Sequence, residues 1–475
     1  MNKDADVVVV GGGPAGVEAA LAAAGQGLSV TLLDEAPQAG GQVYRAPPSA
    51  FGGAIQRDAD PAGVALRERL ASSAVATCFE HAVWSVSPGF RVDALAPGGP
   101  VSCSARAIVV ATGAQERAVP FPGWTLPGVI GLAGATIMLK SQGMLPGEST
   151  LVAGQGPLLL AVAFGLLKAG GQVAGVVDLA SRGDWVREWR ALVSRPMLTT
   201  RGAHWRAKLL RAGVPLFHRH AVQSVAEAPG SGLRVVLTRV DGHGSPTGST
   251  ARELLVDAVA VGNGLTASTD ITRLLRVAHH YDALHGGWVP TLDTEFRSSL
   301  AGLYVAGDAG GLAGADAAAA DGTLTGLTVA RDLGFMTDAA YRRAVQSLRP
   351  RAQRARYFGT AMARLMTLRP AHVRAIPPET VICRCEDVTR AEIDAAKSEG
   401  AQTVNQLKAW TRCGMGPCQG RVCGDIVGAL LAGANGPREP VGYFTGRTPF
   451  RPLPLKLLAG DVEYTALKLP PPAPL

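Results

Sequence analysis

Nothing in this 475-residue sequence is long and apolar enough to cross a bilayer as a helix. Such a span needs roughly 18 or more apolar residues in a row. The longest candidate, Pro157 to Leu167, runs straight into Lys168. The N-terminus, Met-Asn-Lys-Asp-Ala-Asp, is polar and leads directly into an apolar strand, with no secretory leader in view. The expectation is a cytoplasmic protein without a membrane span, either free or peripheral to the inner face of the membrane. Charge is sparse, at 18% of residues, against 47% hydrophobic residues and 59 glycines. That balance argues against a disordered chain and fits a globular α/β protein with many tight turns. Length alone allows about three domains. The net charge of +8 is mostly arginine spread along the chain, and no nucleic-acid motif accompanies it, so nucleic acid is not an expected partner. The nine histidines form no constellation, and no His or Glu stands out as a base for chemistry at a substrate carbon.

What is present is concentrated first between Val7 and Arg45. Val7 to Val10 reads as a buried strand, followed by Gly11-Gly-Gly13-Pro14-Ala15-Gly16 and an Ala-rich helical run to about Gln26. A second strand, Leu28 to Leu33, ends in Asp34 and Glu35. Strand, Gly-x-Gly-x-x-Gly turn, helix, strand and acid is the order of a dinucleotide-binding unit. Gly11 permits the tight turn, Gly13 leaves room for a pyrophosphate, and Gly16 lets helix and strand pack closely. The free N–H groups and positive dipole of the helix start favour phosphate. The acid can accept both ribose hydroxyls, and Asp34, which directly ends the strand, is preferred to Glu35. A second unit repeats the order: a strand from Leu151, Gly154-Gln-Gly156, an apolar helix to Gly170, a strand from Val173 to Val177, and Asp178. Here Leu159 holds the third glycine position, and no arginine pair follows Asp178 to grip a 2′-phosphate. Gly154, Gly156 and Asp178 therefore mark a degenerate second nucleotide site, and a retained fold with an empty or repurposed site is expected.

Three further stretches extend the first unit: Gly40-Gly41-Gln42-Val-Tyr-Arg45, a strand ending in Ala111-Thr112-Gly113, and a strand ending in Gly307-Asp308 before an Ala-rich helix. Their order resembles the two-dinucleotide-domain flavoproteins of the glutathione and thioredoxin reductase type. The resemblance implies FAD at the first site, with the Gly40–Arg45 loop near the flavin ring and backbone around Val83 against adenine. It also implies Ala111–Gly113 at the cofactor and Asp308 at its ribityl or phosphate part. The helix after Asp308 would point its N-terminus at the flavin, where the dipole favours electron density on the ring. This chain has no Cys-x-x-Cys near these motifs, which argues against a disulfide reductase, whose dithiol must work against the ring.

Five of the seven cysteines fall between Cys383 and Cys423, a clustering that suggests a metal site before disulfides. Cys383-Arg-Cys385-Glu-Asp-Val-Thr opens the segment, and Cys413-Gly-Met-Gly-Pro-Cys418-Gln-Gly-Arg-Val-Cys423 closes it. Between them Thr389 and Glu392 have the spacing of a capping box for a helix to Ser398. Four cysteine thiolates suit a [2Fe–2S] cluster. Zinc also takes four cysteines, but a redox cluster beside a flavin has an evident use. The segment resembles the bacterioferritin-associated ferredoxin-like [2Fe–2S] domain, which implies Cys383, Cys385, Cys418 and Cys423 as ligands. Cys413 is then a surplus thiol, and its equal spacing to Cys418 leaves it open as a substitute ligand.

The whole order is similar to the α (A) subunits of hetero-oligomeric amino-acid dehydrogenases and oxidases, the opine oxidase, D-hydroxyproline dehydrogenase, dye-linked proline dehydrogenase and hydrogen cyanide synthase type. Heterotetrameric sarcosine oxidase carries a related subunit. The resemblance implies an α/β fold with two dinucleotide-binding domains and a small C-terminal [2Fe–2S] domain. The FAD-binding domain is expected over residues 1–120 and 285–335 and the degenerate domain over 121–284. A helical linker is expected over 336–380, the cluster domain over 381–435 and an extended tail over 436–475. Arg342, Arg343, Arg349, Arg351, Arg354 and Arg356 suggest a solvated helix pair broken at Pro350, or a dock for an acidic partner. The implied partners are a catalytic FAD-dependent β subunit that oxidises a C–N bond, an optional small γ subunit, and an acceptor such as a quinone, a respiratory carrier or oxygen. FMN at the subunit interface is the further implied cofactor. A stand-alone NAD(P)H-dependent reductase and a non-catalytic redox sensor are the competing readings.

Overall fold

The computed structural model describes residues 4–47, 60–230, 232–248, 252–433 and 436–459. Ala5–Val10 lies at the centre of a seven-stranded sheet, with Val8 opposite Thr31 on one side and Ile108 on the other, both pairings parallel. A parallel strand covered on both faces reads as an unbroken apolar run, which is why Val7-Val-Val-Val10 carries no alternation. The strand Leu303–Val305 joins the same sheet beside Gly99–Val110, so the chain closes the first domain only after an excursion of some 190 residues. The outer half of Gly99–Val110 pairs antiparallel with Arg91–Ala96, which pairs with Ala82–Ser87 in the expected hairpin. Helices Pro14–Ala24 and Ala315–Asp332 lie against each other with backbones in near contact. A Cβ on Gly322 would collide with the Ala15 carbonyl oxygen and one on Gly326 with that of Ala19.

The excursion is a second parallel sheet of five strands, ordered Leu216–His218, Gln172–Asp178, Ser149–Gly154, Ala258–Gly262 and Val129–Gly131. A three-stranded antiparallel sheet covers it. The chain passes between the domains along two paired antiparallel strands, Ala114–Glu116 outward and Leu265–Ala267 back. No helix among the described residues is long and apolar enough to cross a membrane.

Beyond the return helix the structure departs from the expected helix pair. Asp338–Leu365 is one helix of 28 residues that runs through Pro350. Proline removes the N–H that would bond the Gln346 carbonyl. Gln346 and Pro350 both face solvent, where water can serve that carbonyl, while Val345, Ala352 and Ala355 are buried on the inner face and hold the helix on either side.

The cysteine segment is a hairpin, Val381–Cys383 with Val388–Thr389, and three short helices around a core of Ile382, Ile393, Leu407 and Ile426. The capping box is formed: Glu392 accepts the Thr389 N–H at 2.7 Å and Thr389 Oγ1 accepts that of Glu392 at 3.3 Å. This unit is seated on the domain crossover. Trp124 Nε1 donates to the Val381 carbonyl at 2.7 Å, and the Arg384 guanidinium lies over the Trp124 ring. Asp425, two residues after Cys423, takes Arg117 Nε at 2.7 Å and Arg438 Nη2 at 2.7 Å. Burial alone would raise the Asp425 pKa, but the two guanidiniums outweigh it and hold the carboxyl below its ordinary value. Residues 437–455 then run over both units: Phe444 packs on the glycines of the cysteine loop, and Phe450 N–H donates to the Trp84 carbonyl at 3.0 Å.

The Arg117 side chain is only 2% exposed, so removing its carboxylate leaves charge buried without compensation. Asp425→Ala is expected to cost about 3–5 kcal/mol, read by urea unfolding at pH 7. A loss below about 1 kcal/mol would show that the pairing does not hold the domains together.

Candidate functional site

The first glycine turn is built so that one position stays open. Gly11 has φ +111°, and a Cβ there would collide with the Ala111 carbonyl; a Cβ on Gly16 would collide with the Gly11 carbonyl. These two glycines serve packing. At Gly13, in contrast, a Cβ would meet only Gly41 Cα, at 3.8 Å. Gly40 N–H donates to the Gly12 carbonyl at 2.8 Å, which folds the Gly40-Gly41 loop against the turn. Gln42 beside it is exposed. Pro14 starts the helix and Ala15 is buried at its foot.

Asp34 closes the turn. Its Oδ2 accepts the Gly12 N–H, and its Oδ1 accepts that of Ala36 at 2.6 Å. Burial raises its pKa, and these two bonds work against the rise. Glu35 points outward, 3.8 Å from Arg451. Arg45 Nε is buried with no partner among the described residues, and the charge of Arg45 acts on Asp34. Gly307 sits on the same helix foot, where a Cβ would lie 2.7 Å from the Ala15 methyl. Asp308 follows; its Oδ1 accepts the N–H groups of Ala313 at 2.8 Å and Gly314 at 3.0 Å, and burial raises its pKa. Thr112 Oγ1 donates to the Ser268 carbonyl at 2.9 Å, and the space a Gly113 side chain would fill is open. Val83 is buried in the hairpin, whose lead-in is tied to the acid by His81 N–H on the Asp34 carbonyl at 2.9 Å. An open glycine, a guanidinium nitrogen that no described residue pairs, and two half-buried acids by one glycine turn and helix start fit a dinucleotide.

The second glycine turn is closed by the chain itself. A Cβ on Gly154 would collide with the Gly262 carbonyl, as the tight turn requires. At Gly156, where the backbone should meet a phosphate, the Met366 side chain fills the space a Cβ would need. Gln155 Nε2 fixes that segment by donating to the carbonyls of Met366 at 2.8 Å and Thr367 at 3.1 Å. Asp178 is spent on protein: Oδ1 accepts Ala180 N–H at 2.9 Å and Oδ2 accepts Trp185 Nε1 at 3.3 Å, and burial pushes its pKa up to about 6.

The five clustered cysteines form two adjacent groups. The Sγ atoms of Cys383, Cys413 and Cys423 all lie within 4.8 Å of one another and are buried. Cys385 stands beside Cys418, and a Cβ on Gly416 would collide with that of Cys385. Thiol hydrogen bonds from Cys413 and Cys423 hold the Cys383 sulfur far below the ordinary thiol pKa. Of the implied ligands, Cys383 and Cys423 are grouped with Cys413, and Cys385 and Cys418 form a separate pair, so that Cys413 takes a place beside two of them. The donor set, all sulfur and largely buried, fits an iron–sulfur cluster or zinc by softness.

Known proteins match the chain in the same two parts. Residues 5–322 match the family described as pyridine nucleotide-disulphide oxidoreductase, and residues 381–433 match the BFD-like [2Fe-2S] binding domain. The chain belongs to the pyridine nucleotide-disulphide oxidoreductase family. Within it, the chain is 34% identical over 468 residues to the A component of an opine oxidase from Rhizobium meliloti, covering 96% of this chain and 99% of that one. It is 34% identical over 464 residues to the HcnB component of hydrogen cyanide synthase from Pseudomonas aeruginosa, covering 94% and 97%. The alpha component of a Corynebacterium sarcosine oxidase is 26% identical over 471 residues, and this chain spans 45% of its length. The crystal structure of L-proline dehydrogenase from P. horikoshii shares the fold, with a TM-score of 0.66, 19% identity, and coverage of 96% of this chain and 80% of that one.

Sequence reasoning missed Gln155, Met366, Arg117 and Asp425. Gln155 lies between two flagged glycines and was legible as a side chain able to bond across the turn. Met366 lies 210 residues from the turn it fills, and no local pattern marks it. A pair of variants separates packing glycines from the open one. Gly13→Ala is expected to fold with unchanged stability and to lose flavin retention at least tenfold, read from visible absorbance of the purified chain. Gly16→Ala is expected to fail to accumulate as folded protein. Full flavin retention in Gly13→Ala would place the nucleotide elsewhere.

Proposed function

We propose that this chain is the FAD- and [2Fe–2S]-containing α subunit of a hetero-oligomeric oxidoreductase, in which a partner β subunit oxidises the C–N bond of an amino acid, imino acid or opine. The observation that carries the reading is the contrast between the two glycine turns. The first is open at Gly13. The second has Met366 over its middle glycine, held there by Gln155, which weighs against the pyrophosphate of a nicotinamide cofactor at that turn. A stand-alone NAD(P)H reductase needs that space, which favours another route for electrons into the chain. The relatives named as subunits of opine oxidase, hydrogen cyanide synthase and sarcosine oxidase support a partner as that route.

In this reading Gly13, Arg45, Asp34 and Asp308 bind and orient the FAD, with Ala111–Gly113 and the Gly40–Gly41 loop shaping its site. Cys383, Cys385, Cys418 and Cys423 hold the cluster, with Cys413 buried beside them. When bound, the two groups supply two-electron and one-electron carrier chemistry. Trp124 and the Arg117–Asp425 pair fix the cysteine unit on the nucleotide domains, so that the separation of the two sites is set by packing and not by a flexible tether. FMN at the subunit boundary, a small γ subunit, a quinone, respiratory carrier or oxygen as acceptor, and a cytoplasmic location complete the proposal.

Anaerobic titration tests it. NADH added to the isolated chain is expected to leave the flavin absorbance unchanged over minutes. Addition of the co-expressed β-type flavoprotein with a proline-like imino acid or an opine is expected to bleach it. Rapid bleaching by NADH alone would replace this reading with that of a nicotinamide-dependent reductase.

A further inference from the structure

Three short helices in the second domain, Arg182–Arg187, Trp189–Ser194 and Pro196–Arg211, have two unlike sides. The inner side is packed. Trp185, Ala191 and Leu192 lie against Phe358, Ala361, Met362 and Leu365 of the long helix, and Glu188 pairs with Arg364 at 3.0 Å. The outer side is bare. Val186, Trp189, Val193 and Met197 recur at intervals of three, four and four, and they are 67%, 55%, 68% and 85% exposed. Burial cannot explain large apolar side chains held at that exposure. Scattered single apolar residues on a surface need no explanation, but four exposed within residues 186–197 concentrate apolar surface of the kind that marks an interaction site.

Charge defines what fits on it. Residues 182–211 carry eight lysines and arginines against two carboxylates, Asp184 and Glu188. Both carboxylates are already committed, Asp184 to Arg187 and Arg369 and Glu188 to Arg364. Arg182, Arg190, Arg201, Arg206, Lys208 and Arg211 are exposed, with Arg190 over the Trp189 ring and Arg201 over the Trp205 ring. An apolar patch that includes Trp and Met, with arginine around it, has the composition of a protein–protein interface. The face also borders the first nucleotide site. Arg195, at its middle, pairs with Asp316 in the first turn of the helix that follows Gly307–Asp308.

We infer that this helical face is the dock for the partner subunit, through a surface on that subunit with an apolar centre and an acidic rim. The inference rests on the α-subunit reading, since it supposes a partner chain. The arginine rim steers the encounter and fixes orientation, and the Val186–Met197 row supplies the desolvated centre. A second copy of this chain is a poor occupant, because its own matching face is cationic.

The test uses the full chain co-expressed with a candidate β-type flavoprotein. A photo-crosslinking benzoylphenylalanine at Val193 is expected to capture that flavoprotein. The same group at Leu255, which is equally exposed on the antiparallel sheet, is expected to capture nothing. Val193→Glu and Met197→Glu are expected to weaken assembly at least tenfold, with flavin and cluster absorbance of the isolated chain unchanged, and raised salt is expected to slow association. Assembly at undiminished affinity in both variants, with no crosslink from position 193, would overturn the dock while leaving the α-subunit reading standing. Failure of the unaltered chain to assemble would overturn both. Flotation of the chain on phosphatidylglycerol vesicles, abolished by Val193→Glu with assembly unaffected, would overturn the dock in favour of a membrane surface.

Discussion

The half-buried carboxylate of Asp425 between the buried Arg117 and Arg438 is the contact on which the arrangement of the molecule depends. Arg117 follows the strand by which the chain leaves the first domain, and Asp425 begins the helix after the last cysteine. Arg438 opens the tail. Taking three charges out of water is costly, and their mutual attraction compensates only when geometry and hydrogen bonding are good. Here Arg117 also donates to the Met366 carbonyl at 3.1 Å, and Arg438 to the Asp425 carbonyl at 2.6 Å. One ion cluster therefore fixes the cysteine unit, the domain crossover and the plug of the second glycine turn in a single relation. Hydrophobic contact could hold these parts together, but it is not directional. Paired guanidiniums and a carboxylate admit one geometry, which suits a protein whose two redox sites must keep a set distance.

The two dinucleotide folds share a scaffold and differ at the middle of the glycine turn. Both have the strand, tight turn and helix in order, and both use their first glycine to pass a carbonyl of the neighbouring strand. They differ in what stands over the middle of the turn. Over Gly13 there is space, and an Arg45 nitrogen has no partner among the described residues. Over Gly156 there is Met366, and Gln155 has turned its amide to hold the plug in place. The acids after the second strands are alike in bonding their turn and their own loop, Asp34 to Gly12 and Ala36 and Asp178 to Gly156 and Ala180; Asp178 differs in being bound by Trp185 as well. The helices that carry Trp185 are also those whose outer side is bare.

Much of this was legible in the residues themselves. The apolar run before Gly11, the acid after Leu33, the capping box at Thr389 and the spacing of the clustered cysteines are local patterns, set by helical and strand periodicity and by which residues can cap or turn. Chain order alone was enough to expect two nucleotide folds and a cysteine unit, because each needs its signals within about 40 residues. Pro350 misled, since a proline in isolation reads as a break, and only the packed inner face of Val345, Ala352 and Ala355 shows why the helix continues.

What the tertiary structure alone decided are the contacts between segments far apart in sequence. Whether a glycine turn is open or filled depends on what the chain brings to it from a distant segment, as it does with Met366, and nothing near Gly156 encodes that. The same holds for Cys413, a surplus thiol by spacing that folding buries against Cys383 and Cys423. Side chains such as Val186 and Val193 look like core by composition, and only their exposure shows that no described element of this chain covers them. Sequence periodicity specifies local conformation, because backbone sterics and hydrogen bonding act over a few residues. Occupancy of a site is a long-range property, fixed only when the whole chain has packed.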